Sequence, residues 1–344
     1  MSEQTMTGRQ RVLALLQGEE ADRIPLMPIT MSLAADQIAR PYREYATDWR
    51  VLVEGQAATA ERFGFDYVSA ISDPCVESSD LGSKVVWFDD RPPANDEENP
   101  LLADKSRFRR LELPAPGSRP RAANRLAAVE GLKARCGGDL IVEGWVEGPC
   151  AEAADLRGLQ RLMLDFYDDP AFVNEVMDFV TAMEIDFALA QVRAGADIVG
   201  IGDAASSLVG PEIYAEFAAP RTARYIDAIH AAGGLVRLHI CGDTNAILGA
   251  LGGLAWDILD LDSMVDMAEA RRILGPSRVL LGNADPVAVI ARGDPAGVRS
   301  ALGRCRAAAA PAWIVGAGCE LPRESPAANV EALAAFAREG GPAR

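Results

Sequence analysis

Histidine is scarce in this chain: its 344 residues include two, His230 and His239. Basic residues are also in deficit, with 34 Lys and Arg against 50 Asp and Glu and a formal net charge of −16. Phosphate binding needs clustered Lys and Arg, so this balance argues against a nucleic-acid partner. It suits an anionic membrane surface no better. No apolar run approaches the ~20 residues of a membrane span, and the opening Met-Ser-Glu-Gln-Thr-Met-Thr-Gly-Arg has no apolar stretch of the signal-peptide kind. These absences point to a cytoplasmic protein whose acidity serves solubility. The six cysteines are scattered rather than spaced as a disulfide framework. In a reducing compartment they are free thiols, available as metal ligands.

What the chain does have is alternation. Hydrophobic residues make up 49% and charged residues 24%, a globular composition. Eight short apolar runs fall at 23–30, 67–73, 139–148, 196–203, 235–243, 258–262, 279–285 and 313–321. They are near-continuous, as expected of parallel strands covered by helices. Helical periods lie near 8–17, 48–63, 122–135, 211–232, 268–274, 295–309 and 326–338. Another opens at Asp169-Pro170, a capping Asp with Pro at the first helical position. Its apolar stripe of Phe172, Val173, Val176, Phe179, Val180 and Met183 runs on toward Gly195, a C-cap glycine. Strands that each precede a helix, eight times over, give an α/β fold: a (β/α)8 TIM barrel, one domain over 1–344. Residues 75–120 interrupt the pattern with a strand-like 84–88, an acidic 89–104 and a proline-rich 113–120. They are expected to form an insertion after the second strand, a hairpin and lid.

Barrels of this kind carry their active sites at the C-terminal strand ends. Polar residues gather there: Asp73, Glu147, Asp203, His239 with Cys241 and Asp243, Asp262, Asn283 with Asp285, and Cys319 with Glu320. Single carboxylates mark where any strand ends. Two cysteines and a rare histidine at one rim need a further reason. His239 and Cys241 are two apart, so on a strand they point to the same side. Cys319 can join them if its strand end is a neighbour. Two thiolates and an imidazole are zinc ligands, and three protein ligands leave a fourth position open for chemistry. The distance to Cys319 is too long for a small zinc knuckle, which favours a catalytic ion held by a preformed barrel. Cys136 and Cys305 fall in helical stretches and Cys75 and Cys150 just beyond strand ends; all four are expected to be fillers. His230 is expected to have a structural role at a helix C-terminus. It is no corrinoid ligand of the Asp-x-His-x-x-Gly kind, because Asp227 stands three residues before it.

The segments Leu238-His-Ile-Cys-Gly-Asp-Thr244, Gly282-Asn-Ala-Asp-Pro286 and Gly318-Cys-Glu320 resemble the uroporphyrinogen decarboxylase superfamily, and within it the methylcobamide:coenzyme M methyltransferase branch. The resemblance covers nearly the whole chain. It implies a zinc-dependent methyltransferase that uses methylcobalamin supplied by a separate methyl-corrinoid protein. Zinc lies on His239, Cys241 and Cys319 in this reading, with Glu147 near the fourth position. Asp73 matches the decarboxylases' catalytic aspartate, and Asn283 and Asp285 shape the pocket for substrate or cofactor. The decarboxylases' Arg-Gln-Ala-Gly-Arg segment is missing, since the matching place reads Ile24-Pro-Leu-Met-Pro-Ile-Thr-Met-Ser32. That sets metal-free decarboxylation below methyl transfer. No arginine stands out at a strand end to take a sulfonate, so the acceptor stays open between a thiol and tetrahydrofolate. A zinc-binding barrel without catalysis is the remaining rival.

Overall fold

The computed structural model describes residues 5–113 and 115–341. Met1 to Gln4 and Pro114, the latter in the proline-rich part of the insertion, lie outside the described residues. Seven parallel strands form one curled sheet: Tyr67–Ser69, Ile141–Glu147, Ile198–Gly202, Leu235–Ile240, Ile258–Leu261, Val279–Leu281 and Trp313–Ile314, in chain order across the sheet. The run at 23–30 behaves differently from the other seven. Only Leu26 bridges, to Val315, although Met27 N–H donates to Val315, Val315 N–H to Pro25, Leu321 N–H to Ile29 and Asp66 N–H to Leu26. This segment therefore spans the gap between the two sheet edges. Its regular ladder fails because Pro25 and Pro28 have no N–H to give.

Helices cover the outer face of the sheet. The 25-residue helix Pro170–Ala194 starts on Asp169, whose carboxylate accepts from Phe172 N–H, and stops at left-handed Gly195, φ 114°. These are the cap and stop the sequence signals. The Gly8–Leu16 helix opens on a capping box of Thr7 and Gln10. The period at 211–232 is one helical run with a π-turn over Tyr214–Ala218. Pro220, two residues beyond it, withholds an N–H, so the ladder shifts register there.

Within residues 75–120, Val85–Val86 pairs antiparallel with Ala94–Asn95. The same stretch carries the helix Val76–Asp80 and a 3₁₀ turn at Lys105–Arg110. Leu102, fully buried, ties this segment to the barrel: its N–H bonds Leu156, and Arg157 donates to the carbonyls of Leu102 and Ala103. Among the described residues no helix is long and apolar enough to cross a membrane.

Register decides which side chains face the interior. Glu147 aligns with Gly202, Gly202 with His239, and His239 with Asp260. One rung lower in the same sense, Trp145 aligns with Gly200 and Gly200 with Arg237. Period-2 alternation puts Glu143, Trp145, Glu147, Arg237, His239 and Asp260 on the inner face. Val146, Val199, Ile201, Val236, Leu238 and Leu259 then face the helices, and all are buried.

Candidate metal centre

The inner face ends in a cavity of about 210 Å³, lined among others by Trp145, Glu147, Asp203, His239, Cys241, Cys319 and Glu320. Glycine makes room for it. A side chain at Gly200 or Gly202 would stand 2.2 or 2.8 Å from the Trp145 indole, so the indole lies over these two bare strand positions.

His239, Cys241 and Cys319 converge at one end of this cavity. His239 Nε2 lies 2.9 Å from Cys241 Sγ, and Cys241 Sγ lies 3.3 Å from Cys319 Sγ. All three ligand atoms fall within 4.8 Å of one another. A zinc tetrahedron with bonds of about 2.0–2.3 Å has edges of roughly 3.3–3.8 Å. The separations of 2.9 and 3.3 Å reach such edges after opening by about half an ångström. Two backbone features hold the cysteines in place. Gly242, at φ 96°, follows Cys241 and donates its N–H to the Asp262 carboxylate, 2.9 Å. Gly318 precedes Cys319 and packs on the backbone of Ser263, where an added Cβ would lie 2.2 Å from the nitrogen.

The imidazole is oriented from behind. His239 Nδ1 lies 3.2 Å from the Asp260 carbonyl oxygen and 3.3 Å from its carboxylate. Both neighbours are acceptors, so Nδ1 carries the proton and Nε2 faces the thiols. Asp260 in turn accepts from Arg237 Nη2 at 2.6 Å, and Arg237 lies 3.4 Å from Glu143. All of these groups are fully or almost fully buried. Burial opposes the imidazolium, but the Asp260 and Cys241 charges outweigh it and hold the His239 pKa well above its ordinary value. Burial also works against the Asp260 carboxylate, yet the Arg237 guanidinium wins and holds that pKa down. Between the cysteines, the Cys241–Cys319 hydrogen bond lowers the Cys319 thiol to about 5 and pushes Cys241 up.

The other expected residues divide into those that reach the cavity and those that do not. Glu147 lines it, and burial, followed by Glu77, Asp155 and Asp203, pushes its carboxyl well up. Its oxygens are not part of the compact three-ligand group. Asp73 lines the cavity too, but both its oxygens are held by Arg121, at 3.1 and 2.6 Å. Asp203 accepts from the N–H groups of Cys150 and Ala151 at a helix start, and burial raises it to about 6. Asn283 and Asp285 do not line the cavity. The Asn283 amide donates to the carbonyls of Asp262 and Val265, at 2.9 and 2.8 Å. It thereby fixes the loop on which Gly318 packs. Asp285 caps the turn that follows, accepting from Val287 and Ala288 N–H. His230 pairs with Asp257 at 2.8 Å in a structural role. All six cysteines are free, and Cys75, Cys136, Cys150 and Cys305 stay out of the cavity lining.

Two features escape the sequence reading. Arg237 lies two residues before His239, the same spacing that groups His239 with Cys241, and so shares its face. Arg121 sits in the helix Pro120–Cys136, not at a strand end, yet its guanidinium reaches Asp73 and lies 5.0 Å from the centre of the Trp87 ring.

A parallel sheet with inward polar groups at its C-terminal end is an α/β barrel-like fold. Residues 7–340 match the uroporphyrinogen decarboxylase (URO-D) family model, and the chain belongs to that family. Among its relatives, the methylcobamide:CoM methyltransferase MtaA of Methanosarcina barkeri is 24% identical, covering 97% of this chain and 98% of that one. The methylcobamide:CoM methyltransferase MtbA of Methanosarcina mazei is 25% identical, covering 96% and 98%. A solved methyltransferase from Methanosarcina mazei shares the fold over 97% of this chain and 99% of its own, with a TM-score of 0.88 at 22% identity.

Proposed function

We propose that this chain is a zinc-dependent, corrinoid-dependent methyltransferase. It moves a methyl group between methylcobalamin, carried by a separate corrinoid protein, and a small acceptor, a thiol in the first instance. One observation carries the reading: His239, Cys241 and Cys319 meet at one end of the cavity with their ligand atoms within 4.8 Å. The full-length likeness to two methylcobamide:CoM methyltransferases supports it. We read the domain as 1–344, an eight-position barrel closed by the 23–30 segment, with 75–120 as a lid.

Bound at the three ligands, zinc supplies Lewis acidity that keeps a thiol acceptor in its thiolate form near neutral pH. The protein's own groups do the rest. Asp260 keeps the proton on His239 Nδ1, so Nε2 stays a donor to the metal. Arg237 balances Asp260, and both are removed from water. Trp145 walls the cavity and excludes solvent. Glu147 faces the same space, its carboxyl pushed up by burial, and is assigned to the fourth position or to the incoming acceptor. Asp73 is spoken for by Arg121, which disfavours a free carboxylate of the decarboxylase kind. Tetrahydrofolate in place of the thiol uses the same metal and partner.

The test is direct. Zinc-loaded protein with a thiol and methylcobalamin should consume the methyl–cobalt absorption, and a Zn–S distance near ~2.3 Å should appear in X-ray absorption. Glu147→Gln should retain zinc and alter thiol affinity or turnover. Methyl transfer that is unchanged after zinc removal sinks the proposal.

A further inference from the structure

A second group of metal-ligating side chains lies away from the cavity lining. Glu77, Glu152 and Glu184 come from the helices Val76–Asp80, Pro149–Arg157 and Pro170–Ala194, and each offers an oxygen within 4.8 Å of the others. All three residues are 0–2% exposed. Clustered acids are common, but two of these three are unusual. Among the described residues, neither carboxylate oxygen of Glu152 or of Glu184 has a hydrogen-bond partner. Two further unpartnered groups come from other elements: the Tyr225 hydroxyl, 0% exposed, and Nε and Nη1 of Arg119, 2% exposed. Burial pushes the carboxyls of Glu77 and Glu184 up, with Arg119 opposing, and burial, then Glu184 and Asp203 with Glu152 and Glu77 behind them, pushes the Tyr225 phenol up, so all five groups share one locality. Buried polar groups in native proteins almost always find partners. A shared vacancy of partners therefore points to something bound between them.

Charge and spacing say what kind of ligand fits. Three carboxylates and one guanidinium carry a net −2 when ionised, which one divalent cation cancels. An ion with oxygen ligands at about 2.0–2.6 Å holds them no more than roughly 4–5 Å apart across it. The ligands are all oxygen, which suits Mg²⁺ or Mn²⁺ rather than the zinc that sulfur selects. We propose that Glu77, Glu152 and Glu184 form a second metal site, for a hard divalent cation, which ties together the helices behind the cavity. Its occupant cancels charge next to Glu147 and is independent of the sulfur site. Without a cation the carboxyls are neutralised by protons instead, and burial together with mutual repulsion favours that form.

Mn²⁺ is the probe. Zinc-loaded full-length protein, stripped of other metals and equilibrated for hours with Mn²⁺, should bind one Mn²⁺ per chain, read as loss of the free-ion electron spin resonance. Glu152→Gln and Glu184→Gln should each weaken binding at least tenfold, while Cys241→Ala should bind Mn²⁺ as the parent does. In the parent protein the infrared carbonyl band of protonated carboxyl groups should fall as Mn²⁺ binds, a readout that needs no variant to fold. Absence of bound Mn²⁺, equal binding by both Gln variants, or a carboxyl band indifferent to Mn²⁺ overturns the site and makes it a cluster of buried acids. None of these outcomes touches the zinc reading, because the sulfur site is followed separately.

Discussion

The two ligand clusters of this protein solve opposite electrostatic problems. Behind His239 charges alternate: Glu143 faces Arg237 at 3.4 Å, Arg237 faces Asp260 at 2.6 Å, and Asp260 faces the imidazole at 3.3 Å. Among the helices, three carboxyls lie within 4.8 Å of one another, and the Arg119 charge offsets only two of them, Glu77 and Glu184. The first arrangement is self-compensating, so its geometry exists before any metal arrives. The second holds together only with added positive charge or with protons. Preorganisation therefore belongs to the sulfur site, and an ion there can be given over to chemistry. An ion among the glutamates serves the fold.

The largest effect should come from the sulfur ligands. Cys241→Ala or Cys319→Ala should release zinc and abolish methyl transfer from methylcobalamin, while circular dichroism and thermal unfolding stay close to the parent. A core of this size does not depend on one ion. Loss of the fold along with the metal would break the contrast, since the sulfur site would then be structural.

Next comes the charge chain. Arg237→Met leaves Asp260 and Glu143 buried without their counter-ion and should destabilise by about 3–5 kcal/mol in urea unfolding. Asp260→Asn should weaken zinc binding by roughly 10–100-fold through the lost orientation of His239. Parental stability in Arg237→Met would mean that the chain is not the framework of the site.

Gly318→Ala sharpens the same point at the backbone. Its Cβ would meet the Ser263 nitrogen at 2.2 Å. Overpacking of this kind costs about 1–3 kcal/mol, and the strain is relieved by moving Cys319. A zinc titration should show weakened affinity beyond the loss of stability seen in the metal-free protein. Equal losses would remove any special role for the Gly-Cys pair.

Much of this was legible in the sequence. Seven apolar runs became strands because parallel strands buried on both faces need continuous apolar residues. Register follows from alternation, so His239 and Cys241 shared a side as expected. The run at 23–30 looked the same by composition, yet Pro25 and Pro28 remove the donors that make a ladder. Arg237 and Asp260 were hidden because they interrupt apolar runs singly, and a lone charge in a run reads as a strand's exposed side. Only the sheet's curl turns that side inward. Asn283 and Asp285 stood at a strand end, but their side chains were taken by loop carbonyls and a turn, which residue type alone does not reveal. The glutamate cluster joins three helices far apart in sequence, and no spacing rule brings them together.

The smallest effect carries the sharpest difference between the two regions. In protein stripped of hard cations, Glu184→Gln exchanges a carboxyl among like neighbours for a neutral amide of nearly the same shape. It removes the cost of keeping a buried carboxyl protonated near neutral pH, so the change in stability should stay within about 1 kcal/mol, with stabilisation the expected sign. With Mn²⁺ present the parent gains stability by mass action and the variant does not, so the ranking inverts. Arg237→Met, measured beside it, should be severely destabilised with or without Mn²⁺. If Glu184→Gln instead costs several kcal/mol in the absence of any cation, the three glutamates are held by hydrogen bonds of their own. The helical cluster would then be as self-compensating as the charge chain behind His239.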